Sequence, residues 1–152
     1  MELNLLLEKF SEEETEQVMK LPQGSLAGVK KQPNFFKLLE GDVMMHYPYG
    51  RLFEVEDLQE EAKRFETKDI APTGLVPGSK TKRAIGTARL IEEQFDETMN
   101  LFGARRYAWI QVEDIKSRYV EEKAHYELEF TLPKGCYATN VVDVLRGSSS
   151  VL

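Results

Sequence analysis

An α+β fold is what this sequence predicts, and three observations carry that expectation. Several segments place apolar residues at helical spacing, as in "ELNLLLEKF" and "LQEEAKRFE". The stretch Tyr126–Leu132 alternates instead: Tyr126, Leu128, Phe130 and Leu132 face one way, Glu127, Glu129 and Thr131 the other, as in a half-buried antiparallel strand. The two kinds of element occur as separate runs with no internal repeat, which is the α+β arrangement.

Taken in order, "ELNLLLEKF" reads as a short helix. "SEEETEQVMK" reads as a second, because Ser11 followed by Glu14 forms a capping box. Pro22, Gly24, Gly28 and Pro33 make "LPQGSLAGVKKQPN" a loop. In "FFKLLEGDVMMHYPYGRLFEV", Gly41-Asp42 reads as a turn between two short strands and Pro48–Gly50 as another. Asp57 caps a helix that presents Leu58, Ala62 and Phe65 on one face, with Glu60 at the reciprocal position. "DIAPTGLVPGSK" reads as a long Pro/Gly loop. "KRAIGTARLIEEQFDETMNLF" carries the longest helical pattern, with Leu90, Ile91, Phe95, Met99 and Phe102 on one buried stripe and Gly103 as its stop. After the alternating strand, Ala138, Val141, Val142 and Leu145 define a closing helix that Gly147 ends, and "SSSVL" frays.

The chain has 152 residues, of which 41% are apolar and 30% charged, a globular composition long enough for one ordinary domain or two small lobes. No apolar run approaches the ~20 residues of a membrane span. The start has neither the basic segment nor the cleavage site of a signal peptide. A single cysteine, Cys136, excludes an internal disulfide and suits a reducing cytoplasm. His46 and His125 are too few and too far apart to suggest a metal site. Net charge is −6, against a nucleic-acid partner on average, but the charge is uneven. "GSKTKRAIGTAR" holds Lys80, Lys82, Arg83 and Arg89 without an acid, and Arg105-Arg106 form a second basic pair. A phosphate backbone responds to such patches more than to the sum.

No self-contained active site is legible. There is no phosphate loop, no G-x-G-x-x-G and no G-x-S-x-G elbow. Cys136 has no histidine near it in sequence and reads as a small buried residue, and the acids Asp96 and Glu97 read as a solvated helix face. Three stretches remain unexplained: "DIAPTGLVPGSK", "GARR" just past a helix end, and "LPKGCYATNVV", which sets an aromatic and a lysine at a helix start.

In this order and spacing those stretches resemble the C-terminal portion of the tRNA pseudouridine synthase D (TruD) family. The family's "PTG" loop with its following glycine is matched by Pro72-Thr73-Gly74 and Gly78, its basic pair by Arg105-Arg106, and its closing "LPxGS(Y/F)AT" by Leu132–Thr139. "LLEGDVMMHYPYGRLF" looks like its Gly-Asp strand segment, so the resemblance covers roughly Phe35 to Leu145.

The resemblance implies a pseudouridine-synthase fold with a family-specific inserted α+β domain. Residues 1–103 would be part of that insertion and 104–152 the return to the catalytic domain. It implies isomerisation of a D-arm uridine of tRNA (position thirteen) to pseudouridine, without metal or organic cofactor. An aspartate acts on the ribosyl–uracil unit, and the freed base rotates and rejoins through carbon. Tyr137 becomes a wall of the base pocket; Lys134 and Arg106 become phosphate contacts, with Arg105, Lys80, Lys82 and Arg83 as further tRNA contacts. The family's Gly-x-Lys-Asp motif has no match: Gly28-Val29-Lys30-Lys31 lacks the acid, and neither Asp42 nor Asp69 stands in for it. The chain is therefore expected to be catalytically incomplete, with the N-terminal half of the same enzyme as its structural partner and with the closing strand and helix exposing an apolar face without it. Where the family continues "xxVxREL", this chain has "NVVDVL". The competing expectation is a stand-alone RNA-binding or protein-interaction module without catalysis.

Overall fold

The capping box at Ser11 forms as the sequence requires: Ser11 Oγ accepts from the Glu14 N–H and the Glu14 carboxylate from the Ser11 N–H. In the computed structural model, which describes residues 3–96 and 101–147, it separates α1 (Leu3–Lys9) from α2 (Glu12–Met19). The acids of α2 do more than line a wet face. Glu16 is buried and accepts from the N–H groups of Gly24 and Leu26, at 2.9 and 2.7 Å. One turn earlier, Glu12 accepts from Gly28 and Lys30. The loop Pro22–Pro33 thus hangs its orphan donors on two carboxylates four residues apart, which share a helix face. This seats Leu26 and Val29, both fully buried, beside Leu7, Leu39 and Val43. Gln32 closes the segment by exchanging two amide hydrogen bonds with the Leu38 backbone.

The sheet that follows contains β1 (Val43–His46), β2 (Leu52–Glu54), β3 (Ile70–Val76) and β4 (Ala104–Tyr107), antiparallel in the order β2-β1-β3-β4. Side chains alternate across a strand. Val43 accordingly joins the core with α1 and α4 (Gly86–Glu92), while Met44 and Ile70 join Leu38 and Phe65, the latter from α3 (Leu58–Glu66). Asp57 caps α3 by accepting from Gln59 and Glu60, and Ala62 and Phe65 face inward as expected. Pro48–Gly50 turns β1 into β2, whereas Gly41-Asp42 leads into β1 with no strand before it.

Two sequence expectations are corrected. "IAPTGLV" is the interior strand β3, not a loop. In an antiparallel strand the N and C=O of a residue point to the same neighbour, and the Pro72 carbonyl accepts from Ala108 N–H just past the end of β4. The donor Pro72 lacks therefore falls where pairing with β4 stops, so the ladder to β1 is unaffected. The long helix is also shorter than its periodicity suggests. α4 ends at Glu92, with a 3-10 turn to Phe95, and Leu90, Phe95 and Phe102 are exposed. Its buried residues are Thr87 and Ala88, because α4 packs by backbone contact: Ala88 N–H donates to Glu40 O and Ile85 N–H to Gly41 O. A Cβ on Gly41 would lie 2.0 Å from the Ile85 carbonyl oxygen. Small residues let the helix approach so closely; Leu90 is turned outward, while Ile91 packs against the edge of the core. Gly103 is set by a similar approach, to Val76 O and Gly78 N, rather than by ending a helix. Met99 and Glu97, and the segment 148–152, lie outside the described residues.

The chain divides into two compact units, Met1–Trp109 and Ile110–Leu152. The division falls past Gly103 because β4 pairs with β3. The second unit has β5 (Glu113–Val120) and β6 (His125–Thr131) as an antiparallel hairpin, then α5 (Ala138–Leu145). The predicted alternation is present: Tyr126 and Leu128 share a face with Tyr119, and Glu127 and Glu129 face Arg118 and Lys116. The burial is only partial: Phe130 and Leu132 are half-buried, whereas Tyr126 and Leu128 are exposed, as are Ile115 and Tyr119 on β5.

Glu16→Ala leaves two amide donors of the loop without an acceptor. It is expected to lower unfolding free energy by about 2–4 kcal/mol in urea titrations followed by circular dichroism, with Glu16→Gln in between.

Candidate nucleic-acid interface

The two short motifs in the first unit, "PTG" and "RR", are thirty residues apart in sequence but adjacent in space. Strand pairing sets Thr73 opposite Tyr107, Gly74 opposite Arg106 and Leu75 opposite Arg105. The basic pair thus sits in a strand, not at a helix end, and alternation sends its two side chains to opposite faces. Arg106 is exposed. The Arg105 side chain is only 3% exposed: its Nη2 lies 2.5 Å from Glu92 Oε1, and its Nε donates to Lys82 O. The expectation that Arg105 contacts RNA is corrected on this ground, because its guanidinium is enclosed within the unit, ion-paired to Glu92 and bonded to the Lys82 carbonyl.

Most of the acid-free basic stretch is also neutralised by acids from elsewhere in the chain. Lys82 Nζ pairs with Glu54 at 2.7 Å. Arg83 pairs with Asp96 and donates to Gly78 O, and Arg89 pairs with Asp96 and Glu92. Lys80 differs: its Nζ lies 4.9 Å from the centre of the exposed Phe102 ring, with the charge on the surface. Glu92 and Asp96 are near enough in sequence to have been suspected as partners, but no local signal could have revealed Glu54, which comes from β2.

Beside the Arg105–Glu92 pair lies Asp42. The residue as a whole is half-buried, but its carboxyl group is enclosed and accepts from Leu39 N–H at 2.7 Å. Burial pushes its pKa up to about 7, against the opposing pull of that hydrogen bond and of Arg105.

In the second unit the closing motif is a strand–turn–helix corner. Gly135 takes φ +90, Cys136 N–H donates to Pro133 O, and Tyr137 occupies the position before α5. Its side chain makes no cap and is 65% exposed, and Lys134 is exposed in the same turn. Cys136 is half-buried, and burial raises its thiol pKa, which keeps it a protonated packing residue. Among the described residues no three His, Cys, Asp or Glu side chains gather as a metal site, and no helix is long and apolar enough to cross a membrane.

The mixed helices and antiparallel sheets are those of a crystal structure described as a tRNA pseudouridine synthase D from Methanosarcina mazei. It superposes with a TM-score of 0.55 at 20% identity, over 92% of this chain and 42% of that one. The likeness is one of fold. The family model for tRNA pseudouridine synthase D (TruD) matches residues 27–144, and the chain belongs to that family. Curated relatives named tRNA pseudouridine synthase D include one from Sulfurimonas denitrificans, 48% identical over 94% of this chain and 40% of its own length. One from Nitratiruptor is 49% identical, over 93% and 40%, and one from Helicobacter pylori 38%, over 96% and 41%. The chain spans about two-fifths of the length of these relatives.

The neighbours Arg105 and Arg106 are expected to respond oppositely to truncation. Arg105→Ala removes the closer of the two cations on Glu92 and should cost about 3 kcal/mol in urea unfolding, whereas Arg106→Ala should leave the midpoint unchanged. Asp42 supplies a pH test. Its folded pKa is raised above the ordinary value near 3.8, so the folded state holds the proton more tightly and stability falls as pH rises from about 4 to about 7. Asp42→Asn keeps the acceptor for Leu39 and removes the charge. Its stability relative to the native chain should rise by about 2–4 kcal/mol between pH 4 and pH 8; a difference that is flat with pH would show the carboxyl ionised throughout.

Proposed function

We propose that this chain is the C-terminal part of a tRNA pseudouridine synthase that isomerises a D-arm uridine, and that it supplies RNA contacts and one wall of the base pocket but not the reacting aspartate. The observation that carries this reading is the corner at Tyr137. A positive-φ glycine and a Pro-Lys-Gly turn hold an aromatic ring, engaged in no cap, at the start of α5. A uridine must leave its stack to be isomerised, and an aromatic side chain offers the detached base a π-face. Lys134 in the same turn is the phosphate contact beside it, and Arg106 and Lys80 are exposed cations of the first unit. Lys82 and Arg83 contribute less, because their charges are already paired.

No Gly-x-Lys-Asp segment occurs in these 152 residues. The N-terminal half of the enzyme is therefore the structural partner that brings the aspartate, with Met1–Trp109 as most of the inserted domain and Ile110–Leu152 as the return to the catalytic domain. The apolar surface of Tyr119, Tyr126 and Leu128 in the second unit suits such a partner. The cytoplasm, where tRNA and a reducing environment coincide, is the compartment that fits the single cysteine.

Purified chain incubated with an unmodified tRNA transcript should form no pseudouridine, scored by mass spectrometry of the digested RNA; turnover would defeat the claim of incompleteness. The same transcript should bind in a salt-sensitive manner. Tyr137→Ala should weaken that binding about tenfold, with Tyr137→Phe close to the native chain. Equal affinity for the native and Ala chains would remove Tyr137 from the pocket.

A further inference from the structure

We infer that the exposed face of the sheet at Gly74, opposite Arg106, is a docking shelf for an RNA sugar–phosphate backbone. Nine of the ten glycines are explained by the fold: each takes a positive φ, or faces atoms that a Cβ would overlap. Gly74 is the exception. It lies inside β3 with ordinary strand dihedrals, and a Cβ built on it would meet only the Ala108 Cβ, at 3.9 Å. Glycine in a strand interior weakens the strand, and a common reason for it there is close approach by a ligand or another backbone. Among the described residues none makes that approach.

The chemistry of the shelf selects the visitor. Arg106 is the cross-strand partner of Gly74 and is exposed, so a guanidinium borders the space that the glycine leaves open. On the same face, two residues past β4, Trp109 packs against Phe36 and Phe65 and leaves 37% of itself exposed. A bare backbone floor, a planar cation with several donors and an aromatic edge suit a phosphodiester with its attached ribose and base. A neighbouring protein segment would need no cation there. This inference rests on the tRNA-binding reading above.

The test uses the full 152-residue chain and an unmodified tRNA transcript, with affinity followed by fluorescence anisotropy across a salt series. Gly74→Val adds a branched side chain that suits a strand and fills the shelf. It should keep the native melting temperature or raise it, and weaken binding at least tenfold, with Gly74→Ala intermediate. Arg106→Ala should weaken binding and lower the slope of log affinity against log salt by about one. Combining it with Gly74→Val should cost less than the product of the two, because both act on one contact. If the native chain binds tRNA and Tyr137→Ala weakens it while Gly74→Val and Gly74→Ala do not, the shelf is overturned and the tRNA reading stands. If the native chain does not bind tRNA, both fall. Should Gly74→Val lower the melting temperature as Gly103→Ala is expected to, the glycine is structural and the shelf is again overturned.

Discussion

The burial of Arg105 is the constraint on which the rest of the first unit depends. One carboxylate, Glu92, pairs with its guanidinium and also accepts from Ala84 N–H at 2.8 Å, while Arg105 Nε holds the Lys82 carbonyl. Those contacts join β4, α4 and the loop between β3 and α4 at a single charge pair. A strand that slips by one residue exchanges its two faces. Slippage of β4 would put Arg106 into the core and expel Arg105, leaving Glu92 with only the longer contact to Arg89, at 3.6 Å. The ion pair need not be strongly stabilising relative to an apolar packing of the same volume to act in this way; it suffices that the alternative register is worse. The outward position of Arg106 is thus a consequence of the inward position of its neighbour.

The two units use opposite physics. In Met1–Trp109, acids that composition assigns to solvent are committed to backbone amides or to basic side chains: Glu12 and Glu16 to a loop, Glu54, Glu92 and Asp96 to cations. In Ile110–Leu152 none of the described residues is buried, and the hairpin shows an aromatic face and a charged ladder at once. A two-stranded hairpin is marginal without a third layer. The first unit therefore has its own core, and the second carries its apolar residues as a surface.

How much was legible follows the range of each interaction. Caps at Ser11 and Asp57 involve residues two or three apart, and the closing helix shows its apolar stripe directly, so sequence is enough. The corner at Gly135–Tyr137 was equally plain, because turn chemistry is local. "PTG" was misread because a proline and a glycine in a row are breaker signals. Their tolerance in β3 depends on where β4 happens to end and on what lies above Gly74, neither of which is local. The stripe from Leu90 to Phe102 failed for a related reason: periodicity reports that a helix has an apolar side, not that its small side packs on the Glu40–Gly41 backbone. The basic patch failed through long-range charge, since Lys82 meets an acid twenty-eight residues earlier.

Trp109 is the chain's sole tryptophan, and its indole leans on Phe36 and Phe65 at the last position of the first unit. The second unit has no tryptophan. Intrinsic emission above 295 nm excitation will thus follow the first unit alone in the intact chain, whereas tyrosine signals come from both units, since Tyr47, Tyr49 and Tyr107 lie in the first. The same indole is part-exposed two residues beyond Tyr107, so its quenching gives a label-free optical reading of anything that comes to rest on that face of the sheet.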